Sequence, residues 1–201
     1  MAYHLADLNG IETKGALALP SDLSDQDLIE RAKAYDHAAL QAIYEQYSPG
    51  IFRYIYYRIG DYEMAEDLRA EVFVRMLEGV AGFTYQGWSI SAWLYRIAHD
   101  RVVDHLRRAK RRQQEPLEDH YVDPTAGPDD ISLKRFDHAE LQAALAQLTE
   151  EQAEVIILRF IEDHSLREVA QITGRTEGAI KALQHRALNA LGRLLGPVRD
   201  V

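Results

Sequence analysis

The sequence contains no cysteine. That absence removes disulfides, thiol catalysis, thiolate zinc sites and iron–sulfur clusters together, and it fits a cytoplasmic location. Long apolar runs are missing as well. No stretch approaches the roughly 20 residues a membrane-spanning helix needs, so no membrane partner is expected. Met1 to Asp22 lacks the basic start and apolar core of a signal peptide. Excess positive charge is also absent: 23 Lys and Arg stand against 32 Asp and Glu, a formal net charge of −9. Such a balance argues against a general nucleic-acid coat protein but leaves room for local basic surfaces. There is no phosphate-cradling glycine loop and no convincing nucleophile–base pair, and the carboxylate-rich stretch Glu63–Glu78 lacks the Glu-x-x-His pair of a di-iron bundle. No catalytic residue, metal ligand or cofactor is therefore assigned, and the chain reads as a non-enzyme.

What is present is helical periodicity. Hydrophobic residues make up 47% of the chain and charged residues 27%, enough apolar surface for one or two cores. Residues 1–23 mix Gly10, Gly15 and Pro20 without a sustained period and read as a loose extension. Ser24-Asp25-Gln26-Asp27 is a helix start with acids in its first turn. Leu28, Ala32, Tyr35, Leu40, Ile43, Tyr44 and Tyr47 then recur at three- and four-residue spacing. Ser48-Pro49-Gly50, Gly60-Asp61 and Thr84-Tyr85-Gln86-Gly87 punctuate the pattern, so residues 24–112 read as a bundle of four or five helices. Residues 113–132 carry three prolines and a cluster of acids without apolar period, the composition of an exposed linker. Helical pattern resumes near Leu133 and defines a second domain over 133–198, with Leu141, Leu145 and Leu148 in one stripe and Val155, Leu158 and Phe160 after it. The fold class is all-α: two helical domains joined by a flexible acidic linker.

Within the second domain, Ser165 caps a short helix, Leu166 to Ile172. Thr173-Gly174-Arg175 supplies a tight corner and Thr176 caps a second helix with Glu177 in its first turn. This is a helix-turn-helix, whose second helix is the one that enters a major groove. On a helical wheel Ile180, Leu183, Ala187, Leu191 and Leu194 share one side. Gly178, Lys181, Ala182, His185, Arg186 and Asn189 share the other, with Gln184 near the core edge. Small residues beside cations are what close approach to a polyanion requires; a helical hairpin with a solvated basic face has the same pattern.

A second basic stretch, Arg96, Arg101, Arg107, Arg108, Lys110, Arg111 and Arg112, follows Phe83, Tyr85, Trp88, Trp93 and Tyr95. Rings interleaved with cations suit single-stranded nucleic acid, on which bases stack while Arg and Lys hold phosphates. Leu94, Ile97, Ala98, Val102 and Leu106 face inward on this helix, and Arg96, His99, Asp100, Arg107 and Lys110 outward. Arg101, His105, Trp93 and Tyr95 read as packed. A third feature is the stripe Asp67, Glu71, Arg75 and Glu78, opposite Leu68, Val72, Phe73, Met76 and Leu77; such a stripe is ordinarily a solvated face.

Taken in this order, Ala65-Glu66-Asp67-Leu68-Arg69-Ala70-Glu71-Val72-Phe73, the run from Ala92-Trp93-Leu94-Tyr95 to Leu106-Arg107-Arg108, and the run from Glu177-Gly178-Ala179-Ile180 to Arg186-Ala187-Leu188 resemble the bacterial RNA polymerase sigma factors of the extracytoplasmic-function type. The resemblance covers about Asp25 to Leu195. It implies a first domain of the region 2 kind, docking on the β′ clamp of core RNA polymerase through Asp67, Glu71, Val74 and Arg75. That domain would hold the melted −10 strand with Tyr85, Trp88, Arg96, His99, Asp100, Arg107 and Lys110. The second domain, of the region 4 kind beside the β flap, would read the −35 duplex with Arg175, Thr176, Lys181, His185 and Arg186. Promoter DNA, core polymerase and an anti-sigma factor are the partners implied. Ala70 stands where the family often has Gln, and Asp100 where Asn is common. The competing reading is a stand-alone helix-turn-helix regulator with a helical sensor, which would bind duplex DNA by itself as a dimer.

Overall fold

The computed structural model describes residues 25–84, 88–114 and 141–195, and among these there is no strand. The expected extension 1–23 and nearly all of the expected linker 113–132 lie outside the described residues; Gln113 and Gln114 are the end of a helix.

Four helices build the first domain: α1 (Asp25–Lys33), α2 (His37–Ile59), α3 (Tyr62–Gly79) and α4 (Ile90–Gln114), with a 3-10 turn, Val80–Gly82, after α3. Local chemistry sets their ends. Asp36 caps α2 by accepting from the N–H groups of Ala38 and Ala39 at 2.9 and 3.3 Å, and it also receives the Arg31 guanidinium, which ties α1 to α2. Gly60 closes α2 in the left-handed region at φ 76, and Asp61 caps α3 through the N–H of Met64. The break expected at Ser48-Pro49-Gly50 does not occur: α2 runs straight through it. Proline there forfeits one backbone bond, but Ile43, Ser48, Ile51, Tyr54 and Ile55 are all buried along one continuous face, and that packing outweighs the local cost.

The second domain follows from a helical segment at 141–145. Thr149 and Gln152 form a reciprocal capping box that starts α5 (Glu150–Ile156). A π turn, Ile157–Ile161, comes next, then α6 (Leu166–Thr173) and α7 (Glu177–Leu195). The π turn explains a misplaced residue. Its extra residue per turn rotates Phe160 out of the stripe of Val155 and Leu158, leaving it 54% exposed. Tyr35, counted in the helical period, instead forms the left-handed turn between α1 and α2 at φ 55 and is exposed. Leu77, expected on the packed side of α3, lies at the rim and is 39% exposed.

The two domains pack on one another, α4 against α6 and α2 against α5, and their buried apolar residues form one cluster. Two carboxylates cross the boundary. Glu162 is almost wholly buried, receives a two-pronged contact from Arg53 at 2.6 Å per bond and accepts from the Tyr95 hydroxyl at 2.7 Å. Beside it, His164 stands edge-on to the Tyr95 ring at 4.4 Å. Burial pushes the His164 imidazole below its ordinary 6.5 against the opposing pull of Glu168, Glu162 and Asp163; Arg159 acts in the same direction as burial.

Two outcomes follow from this packing. Gly60→Ala places a Cβ in open space but keeps the left-handed φ, so it costs about 1 kcal/mol from backbone strain alone, read as a lower urea midpoint at unchanged m-value. A histidine held neutral binds its proton less tightly folded than unfolded. Its contribution is therefore complete above the ordinary 6.5 and declines as pH falls below it. Calorimetry across pH should show the thermal midpoint falling from about that pH downward, and His164→Phe should flatten this upper part of the decline. The loss below the carboxylate range, where Glu154 and Glu168 titrate, should remain.

Candidate nucleic-acid interface

The helix-turn-helix is assembled by local contacts that the sequence announces. The Ser165 hydroxyl accepts from the N–H of Glu168 at 3.2 Å, and the Glu168 carboxylate accepts from the N–H of Ser165 at 2.9 Å. Gly174 turns the corner at φ 68 with its N–H returned to the end of α6. The Thr176 hydroxyl accepts from the N–H of Ala179 at 3.2 Å and starts α7. Ile180, Leu183 and Ala187 are buried, which turns Gly178, Lys181, Ala182, His185, Arg186 and Asn189 to the outside. Lys181 and Arg186 have no partner among the described residues, and His185 meets only the Asn189 amide, at 3.2 Å. This face therefore presents cations with small residues between them, the arrangement that fits a groove edge. Arg175 is set apart from them: it pairs with Glu151 at 2.6 Å. Gln184 is half-buried and accepts from Arg159 at 3.4 Å.

The strand-binding candidates are divided. Arg107 and Lys110 are exposed at the basic end of α4, as are Arg108, Arg111 and Arg112. Tyr85 lies outside the described residues. Trp88 is half-buried at the entrance to α4 and lines a cleft of about 590 Å³ with Arg96, Arg167, Gln171, Gly174 and Arg175. Arg96 and His99 point away from the first domain's core, as the wheel requires, but not into solvent, because the second domain covers that face. The Arg96 Nη1 donates to the carbonyl of Ile172 at 2.9 Å, capping the negative end of α6. A Cβ at Gly174 would come within 2.9 Å of the same nitrogen, so the corner glycine also makes room for this arginine. Asp100 is exposed and lies 3.5 Å from the Arg96 Nε. Arg101 pairs with Asp104 at 3.1 Å, and Tyr95 is buried.

His99 is drawn into the second buried carboxylate. Glu154 Oε1 lies 2.7 Å from the His99 Nδ1 and accepts from the Tyr54 hydroxyl at 2.7 Å, while the Arg58 Nε stands 3.9 Å away. An ionised carboxylate only accepts, so the His99 Nδ1 carries the hydrogen. Burial alone would raise the Glu154 carboxyl. The hydrogen bond from His99, the charge of Arg58 and the Tyr54 hydroxyl together outweigh it and hold the group below its ordinary value. Sequence reasoning did not single out Glu154, Glu162, Arg53, Tyr54 or Arg58. The available signal was a carboxylate set directly against the apolar run Val155-Ile156-Ile157-Leu158, and the Tyr- and Arg-rich run from Phe52 to Arg58.

On α3, Asp67, Glu71, Val74 and Arg75 are all exposed, and Leu68, Val72, Phe73 and Met76 are buried opposite them. Arg75 reaches Glu78 at 3.1 Å. Ala70 and Leu77 are exposed beside Val74, so the acidic stripe is flanked by an apolar strip. Among the described residues, no helix is long and apolar enough to cross a membrane.

Comparison with known proteins places both halves. Residues 43–112 match Sigma-70 region 2 and residues 144–192 match Sigma-70, region 4. The ECF RNA polymerase sigma factor BldN of Streptomyces coelicolor is 41% identical over 84% of this chain, and this chain spans 65% of that protein's length. The ECF RNA polymerase sigma factor SigX of Bacillus subtilis is 30% identical over 80% of this chain and 85% of its own length. Among solved structures, the sigma factor RpoE in complex with the anti-sigma factor NepR from Bartonella quintana is similar in fold, with a TM-score of 0.63 at 24% identity over 79% of this chain and 98% of that one. Two matched regions in the expected order, on an all-helical frame with an exposed cationic α7, make this chain a member of the extracytoplasmic-function (ECF) family of RNA polymerase sigma factors.

Proposed function

We propose that the chain is the promoter-specificity subunit of an RNA polymerase holoenzyme: it docks on the core enzyme with its first domain, holds the melted −10 strand along α4 and reads the −35 duplex with α7. The observation that carries the reading is the exposed face of α7, where Lys181, His185 and Arg186 stand opposite buried Ile180, Leu183 and Ala187. Docking falls to Asp67, Glu71, Val74 and Arg75, an exposed mixed patch in which Arg75 pairs with Glu78 on the same helix. Trp88, Arg96, His99, Asp100, Arg107 and Lys110 are assigned to the separated strand, with Tyr85 from the preceding turn. Arg175 and Thr176 join the duplex-reading set. An anti-sigma factor is the further partner, by likeness to the Bartonella quintana protein, whose structure holds one. The chain is given no catalysis of its own, and a cytoplasmic site of action follows from the same reading.

Run-off transcription with purified core polymerase and a genomic DNA library tests this directly. Promoter-specific transcripts that depend on the chain support it; duplex binding by the free chain as a dimer, without stimulated transcription, would instead identify a stand-alone regulator. On a promoter so recovered, Arg186→Ala should lower transcription most, Lys181→Ala next and Gln184→Ala least. A bidentate contact of Arg186 to guanine contributes about 1–3 kcal/mol of discrimination, seen as relaxed preference at one base pair across a panel of −35 variants. A phosphate contact instead weakens every variant alike. Reversing both Asp67 and Glu71 to Lys should reduce affinity for core polymerase, and the difference from wild type should shrink as salt is raised, since exposed charges act through a screened field.

A further inference from the structure

The first domain carries a socket of donor groups that is filled by carboxylates of the second. Arg53, Tyr54 and Arg58 from α2 and Tyr95 and His99 from α4 converge on the boundary with the second domain, and two side chains fill the place where they meet. Glu154 accepts from Tyr54 and His99 beside Arg58, and Glu162 accepts from Arg53 and Tyr95. Both carboxylates come from the second domain and both are nearly sealed from solvent. Gly50 shapes the site. A Cβ there would run into the Tyr95 hydroxyl and come within 3.0 Å of the Glu162 carboxylate, so the absent side chain is what lets that pair close. Further along the boundary, the Ser89 hydroxyl donates to Glu168 at 2.9 Å, and Arg96 caps α6.

We propose that Glu154 and Glu162 are the keys of an interdomain latch that shuts the strand-holding face of α4 in the free chain. The proposal rests on the sigma-factor reading above and deepens it, because the same closure occupies the donor groups of two residues assigned to the −10 strand. Arg96 spends its Nη1 on a backbone carbonyl of α6 and His99 spends its Nδ1 on Glu154. Neither group can serve a phosphate or a base while these bonds stand. The α6 carbonyls and the Glu154 carboxylate thus occupy the positions an anionic strand would take, and strand binding requires the second domain to leave. Lys181, His185 and Arg186 on α7 face away from this boundary and are untouched by it.

The absence of cysteine makes the test clean. Fluorescent donor and acceptor on Gln46→Cys and Arg193→Cys, both exposed positions, report domain separation, since no native thiol competes. Two variants unlatch the chain from opposite sides. Glu154→Gln with Glu162→Gln neutralises the keys at constant shape. Gly50→Ala sets a Cβ against the Tyr95 hydroxyl and the Glu162 carboxylate and so blocks the socket, while giving α2 the better helix former. Circular dichroism checks that helix content is kept. Affinity of the free chain is then measured for a pool of mixed-sequence single-stranded oligonucleotides. The expected result is a longer dye separation in both variants and a rise of about tenfold in strand affinity, the factor gained when a face open in a tenth of molecules becomes open in all. Run-off transcription with core polymerase should be retained, because neither Gly50 nor the two glutamates belong to the DNA- or polymerase-binding sets. An unchanged separation in folded variants overturns the latch, and so does separation without gain in strand affinity. Failure of the sigma reading is a different result: no promoter-specific transcript from the unmodified chain.

Discussion

Two negative charges buried between domains are the constraint around which the rest of this molecule is arranged. A carboxylate out of water is tolerated only when donors and opposite charge surround it. Glu162 meets that demand with the Arg53 fork and the Tyr95 hydroxyl, and Glu154 with Tyr54, His99 and Arg58. Satisfying them dictates what α2 and α4 must carry on one face: a row of tyrosines and arginines where an isolated helical bundle would be free to place any solvated residue. It also dictates the glycine at position 50, the only side chain small enough to leave Tyr95 and Glu162 in contact. Such an arrangement adds little net stability compared with an apolar seam, because desolvation consumes most of the attraction. What it supplies is register, since a carboxylate displaced from its donors is penalised far more than a leucine displaced from its neighbours.

Most of the helix-turn-helix was legible in the sequence because its determinants are local. Ser165, Gly174 and Thr176 act within four residues of their own positions, and the inward set Ile180, Leu183 and Ala187 follows from helical period alone. The acidic stripe on α3 was legible for the same reason. The domain seam was not. Arg53 and Glu162 are 109 residues apart and Tyr95 and Glu162 are 67 apart, so no window of sequence holds both halves of either contact. The wheel for α4 correctly turned Arg96 and His99 away from the first domain's core, yet a wheel has only an inside and an outside. It has no place for a second domain lying on the outside. The errors at Pro49 and Phe160 have a related origin: a proline is a local signal that extended packing overrode, and a π turn is a local slip that periodicity cannot register.

Gly174 and Gly50 are glycine for two different physical reasons. Gly174 sits at φ 68, where a Cβ is strained, and it also lies against Arg96, so one residue sets both the corner of the DNA-binding motif and the space in which the first domain's arginine caps α6. Gly50 lies within a helix, where glycine is a poor choice by propensity. Its presence is explained only by what crosses above it. The two positions join the local motif to the distant seam.

The two candidate nucleic-acid faces therefore differ in kind, though both are built from cations on helices. The face of α7 is held outward by its own hydrophobic stripe, which packs inside the second domain, so it is presented whenever that domain is folded. The face of α4 is folded just as firmly, but its Arg96 and His99 donors are committed to groups of the other domain. Folding alone thus exposes the first face, whereas the second is met by α6 and Glu154 as soon as the two domains pack. A buried ion pair is a suitable element for that division. A carboxylate shifted slightly within the seam loses its donors before water can reach it, whereas full separation hydrates both sides and leaves little attraction between them. Tyr95, Arg96 and His99 are all engaged across the same packed boundary, so the position of one domain on the other governs these three groups of α4 together.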